Sequence, residues 1–153
     1  MKQGELIILF ITFIFLTGCE YNIDLTTGCA DLKSLCFYVH DSIEYISDLD
    51  SIYETPGYYQ SPKESEELKT GDCEDYSTYF MFLAKQDFNI KPDFIIIFVE
   101  GGGNHAVTKY DGIYYDPTMM LIFTDLPDSL HVKKIYGYDK IMNRITNYYT
   151  KRI

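Results

Sequence analysis

Thr70-Gly71-Asp72-Cys73-Glu74-Asp75-Tyr76 decides how this chain is read. One cysteine sits among carboxylates, just after a glycine and just before a run with helical spacing. Across residues 76–86 the apolar or small positions Ser77, Phe80, Met81 and Ala84 recur at three- and four-residue steps, which predicts a helix. Asp72 can cap that helix, so Cys73 falls in its first turn. A thiol there meets unpaired backbone N–H groups and the positive end of the helix dipole, and both favour thiolate. The flanking carboxylates act the other way, because nearby negative charge raises a thiol pKa. A reactive Cys73 therefore requires Glu74 and Asp75 to point away or to be neutralised.

Downstream, Phe94-Ile95-Ile96-Ile97-Phe98-Val99 is a continuous apolar run of β-branched and aromatic residues. It predicts a strand buried on both faces. The glycines of 100–104 are followed by neither Lys-Ser/Thr nor a helix start, so a phosphate loop is a poor reading. A flexible turn beside a site fits better. Residues 105–110 alternate as a strand does, Asp111-Gly112 is a hairpin turn signal, and 113–118 form the return strand. His105 and Asp116 each lie about five residues from that turn, which makes them candidate cross-strand neighbours. An imidazole beside a carboxylate is held in one tautomer and stabilised when it takes a proton. A nucleophilic thiol needs such a partner.

Upstream, residues 30–47 predict an amphipathic helix with Leu32, Leu35, Cys36, Val39, Ile43 and Ile46 on or near one stripe. His40 lies beside that stripe and reads as a surface or helix-packing histidine. Pro56-Gly57 marks a turn. Ser61 can cap a short helix over 62–69, with Pro62 at its first position and Glu64 completing a capping box. Gly71 then permits the sharp turn into the next helix. Cys29 and Cys36 are seven residues apart, about 10 Å along a helix at 1.5 Å per residue, which favours two separate thiols over a disulfide. With His40 they lack a fourth ligand at any recognisable spacing, so a metal site is rejected. In the tail, 119–123 and 131–138 predict strands, the second an edge strand carrying lysines. His131 lacks the hairpin context of His105 and is a poor rival base. Residues 138–153 predict a terminal helix with Ile141, Ile145 and Tyr148 on one face.

Tyr58-Tyr59-Gln60-Ser61-Pro62 followed by Gly71-Asp72-Cys73-Glu74-Asp75-Tyr76 resembles the transglutaminase-like superfamily, closest to the bacterial transglutaminase-like cysteine peptidases. Asn104-His105-Ala106-Val107 and Asp111-Gly112-Ile113-Tyr114-Tyr115-Asp116-Pro117 resemble two further elements of that superfamily, in the same order. The likeness covers roughly residues 58–118. It implies an α+β, papain-like fold in which the nucleophile helix packs on an antiparallel sheet. It also implies Cys73 as nucleophile, His105 as general base and Asp116 as its orienter. The superfamily often has Trp where this chain has Tyr59, near the oxyanion region. Tyr59 and Gln60 are therefore candidate oxyanion donors beside the Cys73 backbone N–H. No cofactor is required. Some relatives bind calcium through carboxylates near the nucleophile, which makes Asp72, Glu74 and Asp75 a candidate calcium set. Such an ion would offset the charge around Cys73.

The chain has 153 residues, of which 46% are hydrophobic and 24% charged, enough for one globular domain. Its formal net charge of −10 argues against nucleic acid as a partner, since phosphate binding needs a basic footprint. It argues equally against polybasic attachment to anionic lipid. Lys2, the apolar stretch 6–16 and Leu16-Thr17-Gly18-Cys19 read as an export leader ending in a lipobox, too short for a comfortable transmembrane helix. The resemblance to bacterial lipoprotein signals implies cleavage before Cys19 and lipidation of its thiol. An uncleaved anchor and an ordinary secretory signal are the alternatives. The expected organisation is thus a signal peptide over 1–18, a tether over 19–28 and one domain over 29–153. The protein would be held at the cell envelope by the lipid on Cys19. The expected activity is that of a cysteine peptidase or amidase on a protein or peptide substrate. A protein-crosslinking transglutaminase and a non-catalytic surface-binding module on the same frame are the alternatives.

Overall fold

Asp31 opens the first helix in a computed structural model that describes residues 27–48 and 57–147 in full and the backbone of 148–150. The leader over 1–18, the lipidation expected at Cys19, most of the tether and residues 49–56 lie outside these residues, as does the side chain of Tyr148. Asp31 and Ser34 form a reciprocal capping box at the start of α1 (Leu32–Ser42). The predicted helix over 30–47 is thus shortened at its end. Ile43 is extended, and Glu44–Tyr45 form a short strand β1 that pairs in parallel with β2 (Thr70–Gly71). The N–H groups of Glu44 and Ile46 reach the carbonyls of Lys69 and Gly71, and the Tyr76 hydroxyl donates to the Ile43 carbonyl. Those tertiary bonds outweigh the helical periodicity of the segment.

The second helix, α2 (Pro62–Leu68), has the capping box read from Ser61 and Glu64, with Pro62 in its first turn. Its end differs from expectation. Lys69, not Gly71, takes the left-handed conformation, with φ of 56°. Gly71 is required instead by close packing. A Cβ there would lie 2.7 Å from the Asp75 Cβ. The long helix α3 (Cys73–Phe88) follows with Asp72 as its cap.

Five strands form one antiparallel sheet in the order β6 (Leu121–Phe123), β5 (Ile113–Asp116), β4 (Gly103–Tyr110), β3 (Asp93–Val99) and β7 (Leu130–Tyr136). The terminal helix α4 spans Tyr138–Thr150. Both residues of the predicted Asp111-Gly112 turn have positive φ, 48° and 80°, as the twist of a tight hairpin requires. The lysine-bearing β7 is an edge strand as predicted. The β3 strand departs from full burial. Phe94, Ile95 and Ile97 are buried, but Ile96 is half-buried and Phe98 exposed. The α+β class is established by these helices and this sheet.

The apolar side chains sort onto two sides of the sheet. On one side α1 and α3 meet through Leu35, Cys36, Val39, Tyr79, Phe80 and Leu83. Phe80 stacks on Tyr115 of β5 with centroids 5.4 Å apart, which fixes α3 against the hairpin. Met81, Phe94 and Ala106 pack there with Ile141 and Ile145 of α4. Ile95, Ile97, Val107 and Tyr114 form the other cluster, joined by Phe123, Leu126 and Leu130. Cys73 packs against the helix-side cluster, at the start of α3.

Candidate active site

Cys73 is the first residue of α3 because Asp72 and Asp75 fix that end. The Asp72 carboxylate accepts from the Glu74 N–H at 3.1 Å, and Asp75 reaches back to the Asp72 N–H at 3.2 Å. Asp75 is fully buried and also accepts from the Gln60 N–H at 2.7 Å. It thereby ties the segment before α2 to the start of α3. Of the two carboxylates expected to oppose the thiol, Asp75 is therefore turned inward and saturated by backbone donors.

Glu74 behaves differently. The Cys73 thiol donates to Glu74 Oε2 at 2.9 Å. Burial pushes the thiol pKa up, and the charge and hydrogen bond of Glu74 push it further; the Ala106 N–H, directed at the sulfur, acts in the opposite sense. The resting thiol is consequently protonated at neutral pH. Burial also pushes Asp75 up to about 7. It raises Asp72 too, with Glu74 and Asp75 adding to the effect.

His105 and Asp116 meet across the β4–β5 hairpin. The His105 Nε2 lies 2.7 Å from Asp116 Oδ2. The pairing is diagonal. The ladder runs from Tyr110↔Ile113 to Thr108↔Tyr115, so one further step would set Val107 opposite Asp116. His105 is two residues farther along the same face of β4, within reach of a long side chain. A carboxylate only accepts, so Nε2 carries the proton and Nδ1 is left with a lone pair. Asp116 is buried and takes a second bond from the Met119 N–H at 3.0 Å, which fixes its orientation.

His40 enters this arrangement from α1. Its Nδ1 lies 3.1 Å from the Pro117 carbonyl and 3.2 Å from that of Thr118. Both partners are acceptors, so Nδ1 is the donor. His40 thus pins the two residues after Asp116. Its packing role agrees with the sequence reading, but its partners were not foreseen, because no spacing relates residue 40 to residue 117.

The three residues converge. Cys73, His105 and Asp116 wall a single pocket of about 630 Å³. Ala106, the residue after His105, sends its N–H to the Cys73 sulfur, which makes the approach of β4 to α3 direct. Tyr59 packs against the same cluster as Cys73, with the Arg144 guanidinium 5.3 Å from its ring centre. Burial pushes its phenol up to about 12, so its O–H is a donor at neutral pH. Gln60 is buried, and its side-chain Oε1 has no hydrogen-bond partner among the described residues. The link from Gln60 to the site runs through its backbone to Asp75.

The acidic residues divide into two groups. Asp72 and Glu74 lie with the Cys73 sulfur, and Asp72 and Asp75 lie with Asp48. The set Asp72, Glu74 and Asp75 is therefore not one cluster, and Asp48 was not anticipated. The second group supplies three carboxylates, against the roughly six to eight oxygen ligands calcium takes. Each already accepts a backbone N–H.

Cys29, Cys36 and Cys73 are all free thiols. Burial pushes Cys36 up to about 12, with Asp116 adding, which makes it unreactive. Comparison with models of known families and with curated proteins finds no match to this chain.

Proposed function

We propose that this protein is a cysteine hydrolase, a peptidase or amidase, working by thiol acyl transfer through Cys73, His105 and Asp116 on a papain-like frame. The observation that carries the reading is the His105–Asp116 pair at 2.7 Å in the pocket that Cys73 also lines. A structural histidine needs no buried carboxylate beside a thiol. The transglutaminase-like resemblance of residues 58–118 supports the same assignment.

The chemistry follows from the protonation states. The resting thiol is neutral and bonded to Glu74, so attack begins with proton transfer to His105 Nδ1, not from a standing thiolate. The sulfur bonds to the amide carbon, and the carbonyl electrons move to oxygen. The Cys73 N–H at the start of α3 and the Tyr59 O–H are the candidate donors to that oxyanion. Collapse breaks the C–N bond while His105 gives its proton to the departing amine. Water then attacks the thioester, losing a proton to His105. The acid departs, and the thiol regains that proton.

Replacement of water by an amine would make the same site a transglutaminase. The raised thiol pKa favours a third reading, a non-catalytic binding module. Incubating the protein with peptides and a labelled primary amine separates the three. Peptide cleavage without amine incorporation is expected, and it should disappear in Cys73→Ala and His105→Ala. Incorporation without cleavage would establish transamidation, and neither reaction would leave the binding module. The proposed setting is the cell envelope, through a lipid on Cys19. Mass spectrometry of the mature N-terminus checks this, and an unmodified Met1 would refute it.

A further inference from the structure

The geometry points to a substrate with a bulky apolar side chain beside the scissile amide, on its acyl side. This inference rests on the hydrolase reading of the same site. Away from Cys73 and His105, the pocket wall is built by Ile97, Val99, Leu121, Ile122, Phe123 and Leu130, drawn from β3, β6 and the start of β7. Ile97 is the registered neighbour of His105, so apolar wall and base adjoin directly. The carboxylate of the lining, Asp116, is paired with the imidazole of His105. The Asn104 carboxamide oxygen accepts from Lys133 at 3.1 Å, so it too has a partner. Among the described residues, the wall thus offers no unpaired charged side chain to a charged substrate side chain. A volume of about 630 Å³ is within the range of small-ligand pockets and far exceeds the needs of glycine or alanine. Cys73 lines the same pocket, so the acyl fragment stays attached within it after the amine has gone. Apolar burial on that side therefore serves both formation and hydrolysis of the thioester.

The wall ends in an apolar lip. Leu121 is 52% exposed and Met119 is 61% exposed, both beside the open edge of β6. Neither holds the core, so both can be altered without emptying it.

The test uses two peptidyl acyloxymethyl ketones that differ only in the residue beside the ketone, glycine or phenylalanine. In each, the Cys73 sulfur forms a C–S bond to the methylene carbon and expels a carboxylate, while the thiol proton passes to His105. Labelling of Cys73 is followed by intact mass. The phenylalanine reagent should react at least about tenfold faster than the glycine reagent, the scale of discrimination an apolar pocket achieves. In Leu121→Gln and, separately, Met119→Gln that ratio should fall at least about threefold. Labelling that depends on His105 but shows a ratio near one, in wild type, overturns the apolar pocket and leaves the hydrolase reading intact. Labelling that does not change in His105→Ala overturns both.

Discussion

Cys73 lies between two opposing influences, and the balance is set by single atoms. The start of α3 offers it backbone donors, and Ala106 sends it an N–H. The Cys73 thiol donates to Glu74 at 2.9 Å, which keeps the proton on the sulfur. Glu74→Gln removes the charge and keeps a hydrogen-bonding group. Its Cys73 should alkylate at least about threefold faster near neutral pH, read as the rate of iodoacetamide labelling, because the thiol pKa falls. His105 depends on Asp116 for its tautomer. Asp116→Asn should cut the hydrolysis rate on the order of 10³–10⁴-fold, with the wrong ring nitrogen facing the thiol. Circular dichroism that matches wild type would show that the fold is kept. The sequence made Cys73, His105 and Asp116 legible because each has a local signature: a capped helix start, a strand after a glycine-rich turn, and the foot of an Asp-Gly hairpin. Glu74 was legible as a neighbour and not as a partner, since adjacency along a helix start does not say which way a flexible carboxylate swings.

At the level of elements, the site depends on how α2, β2 and α3 are joined. The Ser61–Glu64 capping box sets the start of α2, and Asp75 binds the Gln60 N–H just before it. Ser61→Ala should cost about 1 kcal/mol in urea unfolding. Gly71→Ala should cost about 1–3 kcal/mol, because the new Cβ would lie 2.7 Å from the Asp75 Cβ and displace the carboxylate holding both segments. Helix and strand identities in this region follow from caps and periodicity, which are local. What was not legible is long-range. The shortening of α1 comes from pairing of Glu44–Tyr45 with Thr70–Gly71, 26 residues apart in register. The anchoring of residues 117 and 118 by His40 spans 77 and 78 residues. No period in the chain encodes either contact.

The whole molecule carries a charge of −10 and buries part of it. Burial pushes Asp75 up to about 7 and raises Asp72 and Asp48 as well. These carboxyls bind protons more tightly folded than unfolded. Their contribution to stability is therefore complete below the unfolded range near pH 4 and is lost as pH rises through the folded values. The melting temperature, measured in chelator, should fall from pH 5 to pH 8. Asp72→Asn keeps a good helix cap and removes one buried titratable group, so it should reduce that fall and melt at least about 2 °C higher at pH 8. A flat profile in wild type would contradict this account of the cluster. Given these acidic surroundings, the proposed mechanism draws the activation of Cys73 from His105 rather than from the local field. Cys29, a half-buried free thiol, provides a comparison within the same molecule. The most direct measurement of the central claim is acylation by an aryl ester of an apolar acid, followed by peptide mapping of thioesters at Cys73 and Cys29. The account predicts that Cys73 acylates faster than Cys29 and that His105→Ala abolishes the difference. Equal acylation of the two thiols, or a Cys73 rate unchanged in His105→Ala, would contradict it.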